Sequence, residues 1–178
     1  MPERTVTGVT LGDPSGVGPE VVVKAFAEST LHRDSKLFVI GALEPIERAI
    51  RQVGLGQRAR IIEKPSDANS SADVIDIYEL DEIQDTDFPV GVLSEKSARA
   101  SHAWVEAATQ LALAGSVDAI TTAPVNKEAW RLAGFSDKGH QEVFQRLTGA
   151  DYVATMLVSG SLRCMHLSTH LSLAEACD

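Results

Sequence analysis

Residues 6–20, VTGVTLGDPSGVGPE, decide the fold: an apolar run at 6–11 stops at Gly12-Asp13-Pro14, and a segment of helical composition with a valine-rich face begins after Pro19 and continues to residue 28. Strand, glycine-rich loop and helix in this order are the opening unit of an α/β layer structure. The alternation repeats downstream. Residues 36–40 (KLFVI) predict a buried strand, and residues 45–53 predict a helix with Ile46, Ala49, Ile50 and Val53 on its apolar face. Short strands are expected at 60–63 and 73–78, separated by the turn-rich KPSDANSSAD. A long small-residue helix spans 94–114 and closes at Gly115, and residues 117–121 (VDAIT) predict a central parallel strand. A helix at 142–147, strands at 152–158 and 162–167, and the start of a helix in the final THLSLAEACD complete the pattern. The sequence therefore stops where a helix is beginning, and it is expected to be an incomplete piece of a longer protein.

Composition narrows the possible partners. With 178 residues and 44% hydrophobic content the chain can bury a core, and its 5% aromatic content suits helices packed on a sheet of small aliphatic residues. A formal net charge of -9 disfavours nucleic acid and anionic membrane surfaces, which reward clustered Lys and Arg. No segment reaches the roughly 18–20 apolar residues of a membrane span, and the N-terminus lacks a signal peptide's apolar centre, so a cytoplasmic location is expected. The two cysteines, Cys164 and Cys177, have no metal-knuckle or disulfide spacing and read as buried or idle thiols.

Four clusters carry chemical potential. In the first, residues 12–20, Gly16 and Gly18 permit close backbone approach and positive φ, Pro19 suits the first helical position, and the amides of the helix start attract anions. The loop is neither a GxGxxG fingerprint nor a P-loop, and Asp13 could equally brace or cap the turn. The second is Asn126-Lys127, just past a predicted strand's carboxyl end, where open α/β sheets gather ligands; Asn126 capping a helix at 127–132 is the structural alternative. The third is Gly139-His140-Gln141-Glu142 at a helix start, where a histidine can face a ligand or merely lie at the surface. The fourth is His166-Leu167-Ser168-Thr169-His170; in a strand running into a turn the two histidines need not converge, which leaves His170 as the candidate ligand.

Taken together, LGDPSGVGPE at 11–20, AITTAPVNKEAWRLAGF at 119–135, KGHQEVF at 138–144 and STHLSL at 168–173 resemble the N-terminal half of the 4-hydroxythreonine-4-phosphate dehydrogenase (PdxA) family of pyridoxine biosynthesis. The resemblance implies an α/β fold of the isocitrate and isopropylmalate dehydrogenase type. That fold has a parallel or mixed sheet with helices on both faces and two domains around a cleft, here 1–123 and the start of a second at 124–178. It also implies a homodimer and an oxidoreductase that oxidises a phosphorylated hydroxy acid by hydride transfer to NAD, with loss of carbon dioxide assisted by a divalent metal (Zn, Mg or Co). By the same resemblance His170 is a metal ligand; His140, Gln141 and Asn126 contact substrate; Lys127 and Asp13 are catalytic; and Gly12, Asp13 and Gly16 bind the coenzyme. The substrate implied is 4-hydroxythreonine 4-phosphate; Gln141 stands where the family usually has Thr, which makes a related four-carbon sugar-acid phosphate of the erythronate or threonate type the alternative. Family members are about twice this length, so these residues alone are expected to be inactive. Two other classes compete: a metal-free phosphate-handling enzyme such as an acyltransferase using Lys127, and a non-catalytic binding module.

Overall fold

The computed structural model describes residues 4–166, 172 and 174–177. β1 (Thr5–Thr10) leads through the glycine loop into α1 (Gly18–Phe26), and a single turn, α2 (Leu31–Asp34), returns the chain to β2 (Ser35–Ile40). α3 (Leu43–Val53), β3 (Arg58–Ile61), a 3₁₀ turn at Pro65–Asp67 and β4 (Val74–Tyr78) follow. The 19-residue α4 (Glu95–Leu113) then crosses to β5 (Ala119–Thr122), and α5 (Lys127–Leu132), α6 (His140–Thr148), β6 (Met156–Ser159) and β7 (Leu162–Met165) close the order.

The five main strands form one parallel sheet in the order β3-β4-β2-β1-β5. The connections through α1 and α3 step away from β1 in one direction, whereas α4 carries the chain back to the opposite edge. Right-handed crossovers then put α1 and α3 on one face and α4 on the other. Packing agrees, since Val22 and Phe26 of α1 line a cavity with Val9 and Leu37 of the sheet, while α1 and α3 touch and α4 lies across β1, β2 and β5. The fold is thus α/β with helices on both faces, as expected. Its core gathers Phe38, Val39, Ile40, Ile75 and Ile77, all fully buried, with Ile46 from α3 and Trp104 from α4. A second apolar cluster forms where α5 and α6 pack on α4, with Trp130, Val105 and Val143 at its centre.

Several local expectations are corrected. The first helix begins at Gly18, because Pro19 fills the first turn at no cost in hydrogen bonds, and it ends at Phe26 before residue 28. β3 starts two residues early, at Arg58, where the Arg58 amide bonds the Asp73 carbonyl. β6 and β7 are an exposed antiparallel hairpin, shorter than predicted. Cys164 and Cys177 are exposed rather than buried. Near the end of the described residues the expectation of a helix start fits: the Ala176 amide bonds the Ser172 carbonyl at 3.0 Å, and the Ser172 and Glu175 side chains accept each other's amides, the bonding of a first helical turn.

Candidate active site

The sheet reverses its direction of winding between β1 and β5, and it is at such switch points that ligands lie beyond the carboxyl ends of the strands. Here the two strand ends are laced together. The Ala123 amide donates to the Thr10 carbonyl (3.2 Å), and the Asp13 amide donates to the Pro124 carbonyl (2.8 Å). Gly12 makes this possible: its φ is +73°, and a Cβ there would stand 2.4 Å from the Pro124 carbonyl oxygen. Among the glycines of the loop the positive φ falls on Gly12 and on neither Gly16 nor Gly18, which corrects the sequence reading. Gly18 serves close approach alone, because a Cβ there would meet the Leu11 carbonyl oxygen at 2.3 Å.

The rest of the loop is bonded internally. Asp13 is buried, and its Oδ1 accepts the Ser15 amide at 2.9 Å, so it braces the turn; the residue at the α1 N-cap is Val17. Burial pushes the Asp13 carboxyl up, and the Ser15 amide offsets part of that rise. Ser15 Oγ lies 2.5 Å from Ser97 Oγ of α4, and Arg48 of α3 donates to the Pro14 carbonyl at 3.0 Å. Helices from both faces of the sheet therefore hold this loop. Gly16 and Val17 are its exposed residues, whereas Gly12 and Asp13 are covered.

Two residues beyond Pro124, Asn126 caps α5 by accepting the Ala129 amide at 3.0 Å. The structural reading of Asn126 therefore holds. Asn126→Ala is expected to cost about 1 kcal/mol, read as a lower denaturation midpoint with an unchanged denaturant slope. Lys127, the first residue of α5, is exposed and reaches the start of α6, where its Cε lies 3.4 Å and its Nζ 3.8 Å from the place a Cβ on Gly139 would occupy. Glu142 approaches the same point with Oε2 at 3.7 Å. His140 sits between them, half-buried against Trp130 and Phe144 at centroid distances of 6.0 and 6.4 Å. Among the described residues its Nε2 is buried and has no hydrogen-bond partner. Burial lowers the pKa of this imidazole; Lys127 adds to the effect and Glu142 opposes it. Gln141 turns away and donates to Thr155 Oγ1 at 2.5 Å, toward the hairpin.

The structure thus joins Asn126, Lys127 and His140 around the α5–α6 junction and connects them to Gly12-Asp13 through the Pro124 backbone. His170, the expected metal ligand, lies outside the described residues, and no group of three His, Cys, Asp or Glu among the described residues is placed to hold a metal ion. Sequence reasoning passed over a network behind the site. His102 of α4, Asp137, Arg146 of α6 and Glu106 interlock, and His102 stacks on Phe135 with centroids 3.8 Å apart. The available signal was a lone histidine within the alanine-rich face of α4.

Residues 33–178 match the family model described as pyridoxal phosphate biosynthetic protein PdxA. The chain belongs to the PdxA family. Among PdxA relatives, the D-threonate 4-phosphate dehydrogenase of Cupriavidus necator is 38% identical over 96% of this chain, and that of Salmonella typhimurium is 34% identical over 99%. A solved 4-hydroxythreonine-4-phosphate dehydrogenase from Burkholderia phymatum superposes with a TM-score of 0.89 at 39% identity over 97% of the chain. A terephthalate 1,2-cis-dihydrodiol dehydrogenase from Burkholderia xenovorans shares the PdxA architecture more distantly, with a TM-score of 0.72 at 26% identity. The chain spans about half the length of these relatives, 51% and 54% of the two D-threonate 4-phosphate dehydrogenases and 52% and 50% of the two solved chains. The PdxA likeness makes the fold isocitrate dehydrogenase-like and the family activity an oxidoreductase one. No helix among the described residues is long and apolar enough to cross a membrane.

Proposed function

We propose that these residues contribute to an NAD-dependent, metal-assisted dehydrogenase of a phosphorylated hydroxy acid, with a four-carbon sugar-acid phosphate of the D-threonate 4-phosphate type as substrate. The observation that carries the reading is His140: a buried Nε2 without a partner among the described residues, beside Lys127, at the switch-point end of a PdxA-family sheet. The names of the two D-threonate 4-phosphate dehydrogenases, together with Gln141, favour the sugar acid. The solved Burkholderia phymatum relative supports 4-hydroxythreonine 4-phosphate as the second reading.

In the reaction the substrate's secondary alcohol loses a hydride from carbon to NAD and a proton from oxygen to water, giving a ketone, and a 3-oxo acid so formed can release carbon dioxide, the enolate left behind taking up a proton from water. A bound divalent metal would withdraw electron density from that oxygen, with His170 as its ligand from this chain. The described residues do the positioning. A neutral imidazole has one donor and one acceptor nitrogen, so His140 can orient a hydroxyl or a phosphate oxygen at Nε2. The Lys127 ammonium is the catalytic group in this proposal, stabilising negative charge as it develops on the alcohol oxygen. Asp13 acts one step removed by holding the loop, and Gly16 is its residue open to coenzyme. Asn126 sets the start of α5 from which Lys127 projects, and Gln141, bonded to Thr155, ties α6 to the hairpin, so a substrate contact of Gln141 requires it to release that bond. The division into 1–123 and 124–178 is part of this proposal, with α5 and α6 of the second part packed on α4 of the first. The homodimer and the inactivity of residues 1–178 alone belong to the same proposal.

The test is the full-length enzyme carrying His140→Gln, assayed for NADH formation with both candidate phosphates. A loss of about 100-fold or more in kcat/KM on the preferred substrate is expected, the scale of removing one positioned polar group from a reacting centre. Turnover within about twofold of the parent would overturn the role of His140.

A further inference from the structure

His140 owes its place to a turn that is pinned from two sides. Residues 135–139 link α5 to α6, and the Phe135 amide closes onto the Trp130 carbonyl at 3.1 Å. Asp137, two residues on, is nearly buried, and its Oδ2 meets His102 Nε2 on α4 at 2.9 Å and Arg146 on α6 at 2.7 Å. The Arg146 guanidinium, with His102 beyond it, holds the Asp137 carboxyl below the usual carboxylate range against the opposing effect of burial. Arg146 also bonds Glu106 of α4 at 2.8 Å. His102 continues the chain of contacts through its stack on Phe135 and an edge contact with Trp130, 4.9 Å between centroids, and Trp130 in turn packs on His140. His102 and Glu106 tie α4 to the turn and to Arg146 of α6, and Trp130 of α5 carries the packing on to His140.

We propose that Asp137 is the positioning residue for the His140 imidazole: clamped between His102 and Arg146, it sets where the first turn of α6 presents that ring. The proposal rests on the reading of His140 as a substrate contact and adds a residue three positions upstream that touches no substrate. Asp137 works through geometry, and the groups that face the imidazole electrostatically are Lys127 of α5 and Glu142 of α6.

Heteronuclear NMR of the five histidine side chains in residues 1–178, titrated with acid, tests this without substrate. In Asp137→Asn the His140 resonances are expected to move and the midpoint to rise toward that of an ordinary histidine, because the ring leaves its buried slot. Loss of a nearby negative charge alone would lower that midpoint, so the sign separates position from charge. Glu106→Gln, which leaves both Asp137 contacts in place, is expected to leave His140 as it is. His32, held by Ser70 Oγ and the Phe26 carbonyl, reports whether the variant has folded. Should Asp137→Asn fail that check, Arg146→Gln removes one clamp and carries the same expectation. An unchanged or lowered His140 midpoint in the folded variant overturns the proposal. That failure is distinct from a failure of the functional reading, which shows as full turnover in the His140→Gln enzyme.

Discussion

Gly12→Ala is expected to destabilise the protein by about 2–5 kcal/mol, the sum of about 1–2 kcal/mol for an alanine in the left-handed region and about 1–3 kcal/mol for overpacking. The added methyl would stand 2.4 Å from the Pro124 oxygen and 2.9 Å from the Ala123 carbonyl carbon, and both are backbone atoms that cannot swing aside. Gly54 has the same φ of +73° and nothing within 4 Å of its would-be Cβ, so Gly54→Ala isolates the conformational part. Urea denaturation of the two variants gives the comparison. Equal losses would show that β1 and β5 separate freely at this end and that Gly12 is not the hinge of their contact. Total stabilities of about 5–15 kcal/mol make the expected loss a large share of the whole.

Trp130→Ala is the second large effect, about 3–5 kcal/mol. The indole is fully buried at the centre of the smaller apolar cluster, donates Nε1–H to Ser101 Oγ at 2.8 Å, and touches His102, Phe135 and His140. Truncation leaves a cavity where α5 and α6 meet α4 and removes the indole donor to Ser101, whose hydroxyl keeps its bond to the Ala98 carbonyl. Trp104 sits in the main core, so its fluorescence reports that core alone once Trp130 is gone. Loss of α5 and α6 ahead of the Trp104 transition is expected, seen as circular dichroism falling first. Coincident transitions at an unchanged midpoint would show that the cluster contributes little.

Elements whose apolar period and punctuation agree were readable from the chain alone. β2 was legible from KLFVI, α4 from its alanine spacing and Gly115, and α5 from Asn126 followed by a helical run. The parallel order was implied by alternation, but the reversal between β1 and β5 needed the structure, since it is set by which face α4 covers. At the site, Lys127 and His140 were legible as types at strand and helix ends. Their convergence was not, because it depends on the turn at 135–139 and on Trp130. The positive φ was assigned to the wrong glycines, since the constraint comes from Pro124, far along the chain. The Asp137 clamp was invisible for the same reason: His102 and Asp137 are 35 residues apart and neither belongs to a motif.

The pairing of β1 with β5 also governs the order of assembly. The Val6 amide bonds the Asp118 carboxylate across 112 residues, and the two strands are neighbours in register from Thr7 and Ala119 onward. Closing so long a loop is slow and is rewarded only once both strands are present. On the ribosome β1 and β2 can pair early, while the strand that brings Asn126 and Lys127 emerges much later. The corner that carries Asn126 and Lys127 is thus among the last parts of this sheet to be born, and no nascent chain that lacks β5 can display it.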